Sequence, residues 1–154
     1  MANKVLVFDM DGTIVDLYGV ENWLEQLRAY NPTPYRIAKP KCDMATLNTL
    51  LTILKEKGWT IVITSWLSKE TNRKYDRLVR GAKLGWLNQY QFPYDEVHFV
   101  KYGTTKADCT RKLGGYQILV DDNEQVRAGW RLGATIDANK DIISELICLI
   151  VADN

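Results

Sequence analysis

The sequence predicts an α/β fold in which an open parallel sheet carries helices on both faces. Short apolar runs alternate with helical patterns along all 154 residues, as repeated βα units do. Runs such as Val5-Leu6-Val7-Phe8 are continuously apolar, as strands buried on both faces require. Polar residues follow directly after each run, and ligands bind at that edge of such sheets. Apolar residues make up 46% and charged residues 25%, enough for a core without staples. A formal net charge of +1 gives no bulk attraction to nucleic acid or a membrane surface.

The first strand is Val5-Leu6-Val7-Phe8, ending in Asp9. Residues 20–30 place Val20, Trp23, Leu24 and Leu27 on one helical face. Residues 31–40 hold three prolines and are expected to form a loop. Asp43 caps a helix to Lys57 with the stripe Met44, Leu47, Leu50, Leu51 and Leu54, and Gly58 ends it. Trp59-Thr60-Ile61-Val62-Ile63 is the second strand and delivers Thr64 and Ser65. Ser68 is expected to cap a long helix reaching about Tyr90. Val97-His98-Phe99-Val100 is the third strand, and Thr104 or Thr105 caps a helix over residues 106–113. After the Gly114-Gly115 turn, Gln117-Ile118-Leu119-Val120 forms the fourth strand and ends at Asp121-Asp122. A helix to about Leu132, a strand over Ala134-Thr135-Ile136 and a final helix over residues 142–151 complete the chain.

Cys42, Cys109 and Cys148 are widely spaced and form no CxxC pair, so reduced thiols in a cytoplasmic protein are expected. The amino terminus lacks the order of a signal peptide. The longest apolar-rich run, residues 142–151, is too short to span a bilayer, so no membrane partner is expected. Arg73, Lys74, Arg77, Arg80 and Lys83 form a local basic cluster that reads as a solvated helix face, as do Arg127 and Arg131. His98 reads as a packed or partly exposed strand residue with no role as a base.

The chemistry converges past the strand ends. Asp9-Met10-Asp11-Gly12-Thr13, Thr64-Ser65, Lys101 with Lys106, and Asp121-Asp122-Asn123 all fall on one edge of the sheet. Clustered carboxylates repel one another unless a cation lies among them. Oxygen-only ligands favour Mg2+, which binds a few carboxylates together with a phosphate. Lys106 and Thr64 can supply charge and a donor to that phosphate. A carboxylate nucleophile would form an aspartyl-phosphate and split one difficult step into two easier ones. Asp9 and Asp11 lie two residues apart and leave an extended segment on the same side, so one can attack phosphorus while the other handles the proton. Gly12 lets the chain turn and bring backbone N–H groups to the phosphate. Each residue alone has a structural reading: a buried carboxylate, a helix cap, a strand-to-helix turn or a solvated lysine.

As an ordered set, Asp9-Met10-Asp11-Gly12-Thr13, Thr64, a lysine after the third strand and Asp121-Asp122 resemble the four motifs of the haloacid dehalogenase-like (HAD) hydrolases, phosphatase branch. The resemblance spans nearly the whole chain. It implies a three-layered, Rossmann-like α/β fold with a central parallel sheet, residues 1–154 as one domain, and residues 16–41 as a small or minimal cap. It implies Asp9 as nucleophile and metal ligand, and Asp11 as general acid/base and ligand through its carbonyl. Asp121 and Asp122 would be further metal ligands, Thr64 a phosphate donor, and Lys106 the steadying lysine. Lys106 is preferred to Lys101 because it lies near a helix start. Gly12, Thr13, Ser65 and Trp66 are the expected substrate contacts, although core packing is the competing role for Trp66.

Ile63-Thr64-Ser65-Trp66, the long helix ending in Trp86-Leu87, and Val120-Asp121-Asp122-Asn123 are similar to deoxyribonucleotidases and to phage polynucleotide phosphatases. The likeness implies a phosphorylated small molecule such as a nucleotide, or a nucleic-acid end, as substrate. A minimal cap leaves the site open to a large substrate, or lets a second subunit of a homo-oligomer close it. The alternatives are a non-catalytic binding module, a subunit that docks on a partner, and a phosphomutase.

Overall fold

The computed structural model describes residues 3–153. The chain begins with β1 (Lys4–Phe8), β2 (Val15–Asp16), a 3-10 turn (Leu17–Gly19), α1 (Trp23–Arg28), α2 (Thr33–Ile37), β3 (Lys39–Pro40) and α3 (Met44–Glu56). It continues through β4 (Trp59–Trp66), α4 (Arg73–Gln89), β5 (Glu96–Val100), α5 (Ala107–Thr110), a second 3-10 turn (Arg111–Leu113), β6 (Tyr116–Asp121), α6 (Glu124–Gly129), β7 (Thr135–Asp137) and α7 (Ile142–Ala152). Five strands form one parallel sheet in the order β5-β4-β1-β6-β7. Helices flank it on both sides, which makes a three-layer, Rossmann-like fold.

Strand periodicity decides the two cores. Leu6, Phe8, Ile61, Ile63, Ile118 and Val120 pack on one face with Leu47, Leu51 and Leu54 of α3, Trp86 and Leu87 of α4, and Leu146 of α7. Val5, Val7, Val62 and Leu119 point the other way, against Ala107 and Trp130. Because β1 lies between β4 and β6, its carboxyl end is flanked on both sides by other strand ends. The order also changes direction around β1, the kind of switch point where a crevice opens.

Between β1 and α3 the chain builds a compact insert from α1, α2 and the β2–β3 ribbon. Leu17, Leu27 and Tyr35 of the insert share a second apolar cluster with Leu67, Tyr75, Val79 and Ala82. Tyr75 Oη donates to Asn31 O at 3.1 Å, and Trp86 Nε1 donates to Ala38 O at 2.8 Å. Two hydrogen bonds and an apolar seam thus fix the insert to α4.

Several boundaries differ from the sequence reading. Residues 31–40 are not all loop, because Pro34 lies in the first turn of α2, where no amide hydrogen is needed. The helix expected over 20–30 is only α1, since Asn22 takes a left-handed conformation (φ 56°) before it. Ser68 does not cap α4. Leu67 is still held to β5 by its N–H on Val100 O at 2.7 Å, so the chain cannot turn helical there. Asn72 caps instead, accepting from Tyr75 N at 2.8 Å. Neither Thr104 nor Thr105 caps α5 with its side chain, and the helix tightens to a 3-10 turn after Thr110. α6 stops at Gly129 because Trp130 is extended, with its ring hydrogen-bonded to Gln117 O. No helix among the described residues is long and apolar enough to cross a membrane.

Candidate functional site

Strand register assembles the site before any side chain is considered. Phe8 pairs with Ile63 on one side and Val120 on the other, so Asp9 lies between Thr64 and Asp121. Alternation then sends Asp9, Thr64 and Asp121 to the same face as Val7, Val62 and Leu119, the face covered by α5. Lys106, at the start of α5, therefore meets them. Its Nζ lies 2.8 Å from Asp9 Oδ1 and 2.7 Å from Asp121 Oδ2, and the lysine is buried. Lys101, the competing candidate, is exposed.

Asp122 completes an acidic cluster with Asp9 and Asp121. One carboxylate oxygen from each lies within 4.8 Å of the others. Thr13 braces two of them: its hydroxyl donates to Asp9 Oδ2 at 2.9 Å, lies 3.3 Å from Asp122 Oδ1, and accepts the Asp122 N–H at 3.2 Å. Asn123 N donates to Asp121 Oδ1 at 2.9 Å. Arg127, expected in solvent, instead donates to Asp121 O at 3.0 Å and pairs with Asp137 at 3.3 Å, which anchors the turn that carries both acids. Arg131 is exposed, as expected.

Three carboxylates crowd beside one ammonium, which pairs with Asp9 and Asp121 only, so the fully ionised cluster carries two negative charges in excess. Burial raises the Asp121 carboxyl, Asp9 raises it further, and Lys106 opposes both. Asp122 is pushed up to about 7 by burial first and then by Asp9 and Asp121. Burial works against the charge on Lys106, but Asp9 and Asp121 outweigh it and raise its pKa. An all-oxygen donor set with two uncompensated charges fits a hard divalent cation. The Asp11 carboxylate is not part of that cluster.

Asp11 belongs to a different lysine. Lys83 Nζ donates to Asp11 Oδ2 at 2.7 Å, to Ser65 Oγ at 2.7 Å and to Trp66 O at 2.8 Å. Lys83 is fully buried, which corrects its reading as part of a solvated basic face. Burial raises the Asp11 carboxyl and Lys83 pulls against it, with the balance upward. The sequence did carry a signal. Lys83 stands four residues after Val79 and four before Leu87, both fully buried, so it occupies the apolar stripe of α4.

Asp9, Asp11, Lys106, Asp121 and Asp122 open into one cavity of about 320 Å³, walled by Tyr18, Trp23 and Tyr35 of the insert and by Trp66 and Tyr102. Trp66 is fixed by Nε1 on Thr104 O at 2.8 Å, and its ring lies 5.0 Å from that of Tyr102. Ser65 and Thr13 are buried and occupied by Lys83 and the acids, respectively. Thr64 is buried, and its hydroxyl finds no hydrogen-bond partner among the described residues. Gly12 has φ +84°, and a Cβ there would run into the Asp122 carboxylate. Its own N–H is taken by Val15 O at 2.8 Å, and those of Thr13, Ile14 and Val15 all close on Met10 O, so the amides from Gly12 to Val15 do not face the cavity. Lys41, which the sequence did not single out, donates to Gly12 O at 2.7 Å and holds this turn from behind. His98 is a half-buried residue of β5, 3.7 Å from Glu96.

Fold and site together define a parallel-sheet α/β protein with a lysine-buttressed acidic centre at its switch point. Among solved structures, one chain of the Pnkp1/Rnl/Hen1 complex has a similar fold, with a TM-score of 0.61 and 19% identity. The match covers 88% of this chain and 46% of that one, so the present chain spans less than half of its neighbour's length. No family model matches the sequence. No curated protein matches it either.

Proposed function

We propose that this chain is a magnesium-dependent phosphomonoester hydrolase of the HAD type, which forms an aspartyl-phosphate on Asp9 and acts on a nucleotide or a nucleic-acid-end phosphate. Residues 1–154 are then one HAD-like domain, and residues 16–41 are its minimal cap. One observation carries the reading: oxygens of Asp9, Asp121 and Asp122 crowd within 4.8 Å of one another, with Asp9 and Asp121 paired to Lys106, while Asp11, in the same cavity, is paired to Lys83. Two carboxylates two residues apart thereby occupy different environments, as a nucleophile and an acid/base must.

In this reading an Asp9 oxygen bonds to phosphorus as the ester P–O bond breaks, and Asp11 gives a proton to the departing oxygen. Asp11 then takes a proton from water, the water oxygen bonds to phosphorus, and the Asp9–phosphorus bond breaks to release phosphate. Lys106 and Thr13, each holding one oxygen of Asp9, fix the direction of attack. The Thr64 hydroxyl is unengaged but fully buried and does not line the cavity, so no phosphoryl contact is assigned to it. Mg2+ held by Asp9, Asp121 and Asp122 would supply electrostatic compensation for the phosphoryl charge. The aromatic walls support a base or sugar beside the phosphate.

The test is phosphate release from p-nitrophenyl phosphate, from nucleoside 5′- and 3′-monophosphates and from end-phosphorylated oligonucleotides, with Mg2+ and with chelator. Magnesium-dependent release that Asp9→Asn abolishes is expected. Absence of release from every one of these esters overturns the reading.

A further inference from the structure

We infer that Lys83 is the positioning residue for Asp11: it clamps the Asp11 carboxylate by one oxygen to the end of β4, in the orientation from which it handles the leaving-group and water protons. This deepens the proposed function and rests on it.

Lys83 has no route to a substrate. It is fully buried and does not line the cavity, so whatever it does is done through a neighbour. An ammonium has three hydrogens and no acceptor. All three find partners, at 2.7 Å on Asp11 Oδ2, 2.7 Å on Ser65 Oγ and 2.8 Å on Trp66 O. The ring of Tyr35 closes the remaining side, 4.9 Å from Nζ to its centroid. A buried ion pair is often no more stabilising than apolar residues of the same volume, so packing alone does not call for a lysine in this stripe of α4. The chain places that charge at a position of α4 that touches Asp11.

The anchor is rigid where it has to be. Ser65 and Trp66 belong to β4 and pair with Phe99 and Val100 of β5. Asp11, in contrast, sits past the end of β1, in a turn whose amides close on Met10 O. Left alone beside Asp9, its carboxylate would be repelled and free to rotate away. Lys83 transfers the order of the sheet to that side chain. A compact ammonium suits three converging acceptors, whereas the flat fork of arginine does not.

The test uses Lys83→Met, which keeps length and removes the charge, together with Asp11→Asn and the double variant. Steady-state turnover is measured on a nucleoside monophosphate and on p-nitrophenyl phosphate, and the pre-steady-state burst of p-nitrophenolate is recorded. The nitrophenolate departs without a proton, whereas an alkoxide needs one. Lys83→Met is therefore expected to lose ~10²-fold or more on the nucleotide, as loss of a general acid does. It is also expected to keep a burst equal to one product per active site on the nitrophenyl ester, followed by slow turnover. Because Lys83 acts only through Asp11, the double variant should match Asp11→Asn within about twofold. It leaves no unpaired buried charge, so this comparison holds even where Lys83→Met fails to fold. Equal losses on both esters without a burst, or a double variant clearly below Asp11→Asn, overturn the inference while the proposed function stands. A wild-type protein that releases no phosphate overturns both.

Discussion

Removing and restoring the cation at two pH values interrogates the acidic cluster directly. Asp122 is raised from 3.8 to about 7. Its folded pKa therefore lies above its unfolded one. The stability that protonation supplies is fully present below pH ~4 and is lost as pH rises through about 7. At ~1.4 kcal/mol per pH unit, the shift corresponds to ~4 kcal/mol, and solvent reaching a half-buried carboxylate reduces this to ~1–2 kcal/mol. For a chain of this size that is a fall of roughly 3–6 °C in Tm between pH 5 and pH 8 in chelator. A divalent cation is expected to bind the ionised cluster and recover that stability, so the predicted Tm gain on adding Mg2+ is several degrees at pH 8 and near zero at pH 5. Asp137, Asp141 and Asp153 are lowered in the folded chain and titrate below this window, whereas Asp11 and Asp121, also raised, act in the same direction as Asp122. Scanning calorimetry with Mg2+ and with chelator reads the difference. An equal gain at both pH values, or none at either, refutes the cluster as a cation site.

Three further outcomes follow from the geometry. Lys106→Met strands Asp9 and Asp121 without their shared partner and should cost ~3–5 kcal/mol in chelator, as measured by denaturant unfolding, with much of the loss restored by Mg2+. Gly12→Ala forces a Cβ into the left-handed region and against Asp122, so it should lower stability by at least ~1–2 kcal/mol and weaken Mg2+ binding measured by calorimetry. Thr13→Val keeps volume but removes the hydroxyl that braces Asp9 and Asp122. It should reduce turnover ~10-fold or more with a smaller change in Tm, measured side by side.

Much of the site was legible because parallel strands translate sequence into position. A polar residue directly after an apolar run must lie at the carboxyl edge, and that rule alone located Asp9, Thr64 and Asp121. It could not separate Thr64 from Ser65. Their opposite faces follow from parity with Val62 and Ile63, and only Thr64 shares the side of Asp9. Lys106 was preferred to Lys101 for its place near a helix start; it is buried against Asp9 and Asp121, whereas Lys101 is exposed. Lys83 was lost among Arg73, Lys74, Arg77 and Arg80. Those four are exposed, and charge count concealed the one lysine whose spacing matched the apolar stripe. Asn72 displaced Ser68 as a cap because a long-range strand contact at Leu67 governs where the chain can begin to coil. No local pattern encodes such a contact. The insert was read too sparsely for the same reason: its short helices are held by Tyr75, Trp86 and the apolar seam on α4, not by their own propensity.

Covalent capture of the reacting group bears most directly on the central claim. The Asp11→Asn protein, mixed with p-nitrophenyl phosphate and Mg2+ and quenched in acid, is digested and its peptides are weighed. A single phosphoryl group on the peptide containing Asp9, absent when Asp9→Asn is added or Mg2+ is withheld, is the predicted result. Phosphate release by the wild-type protein with no adduct on Asp9, or release that survives Asp9→Asn, would contradict the account.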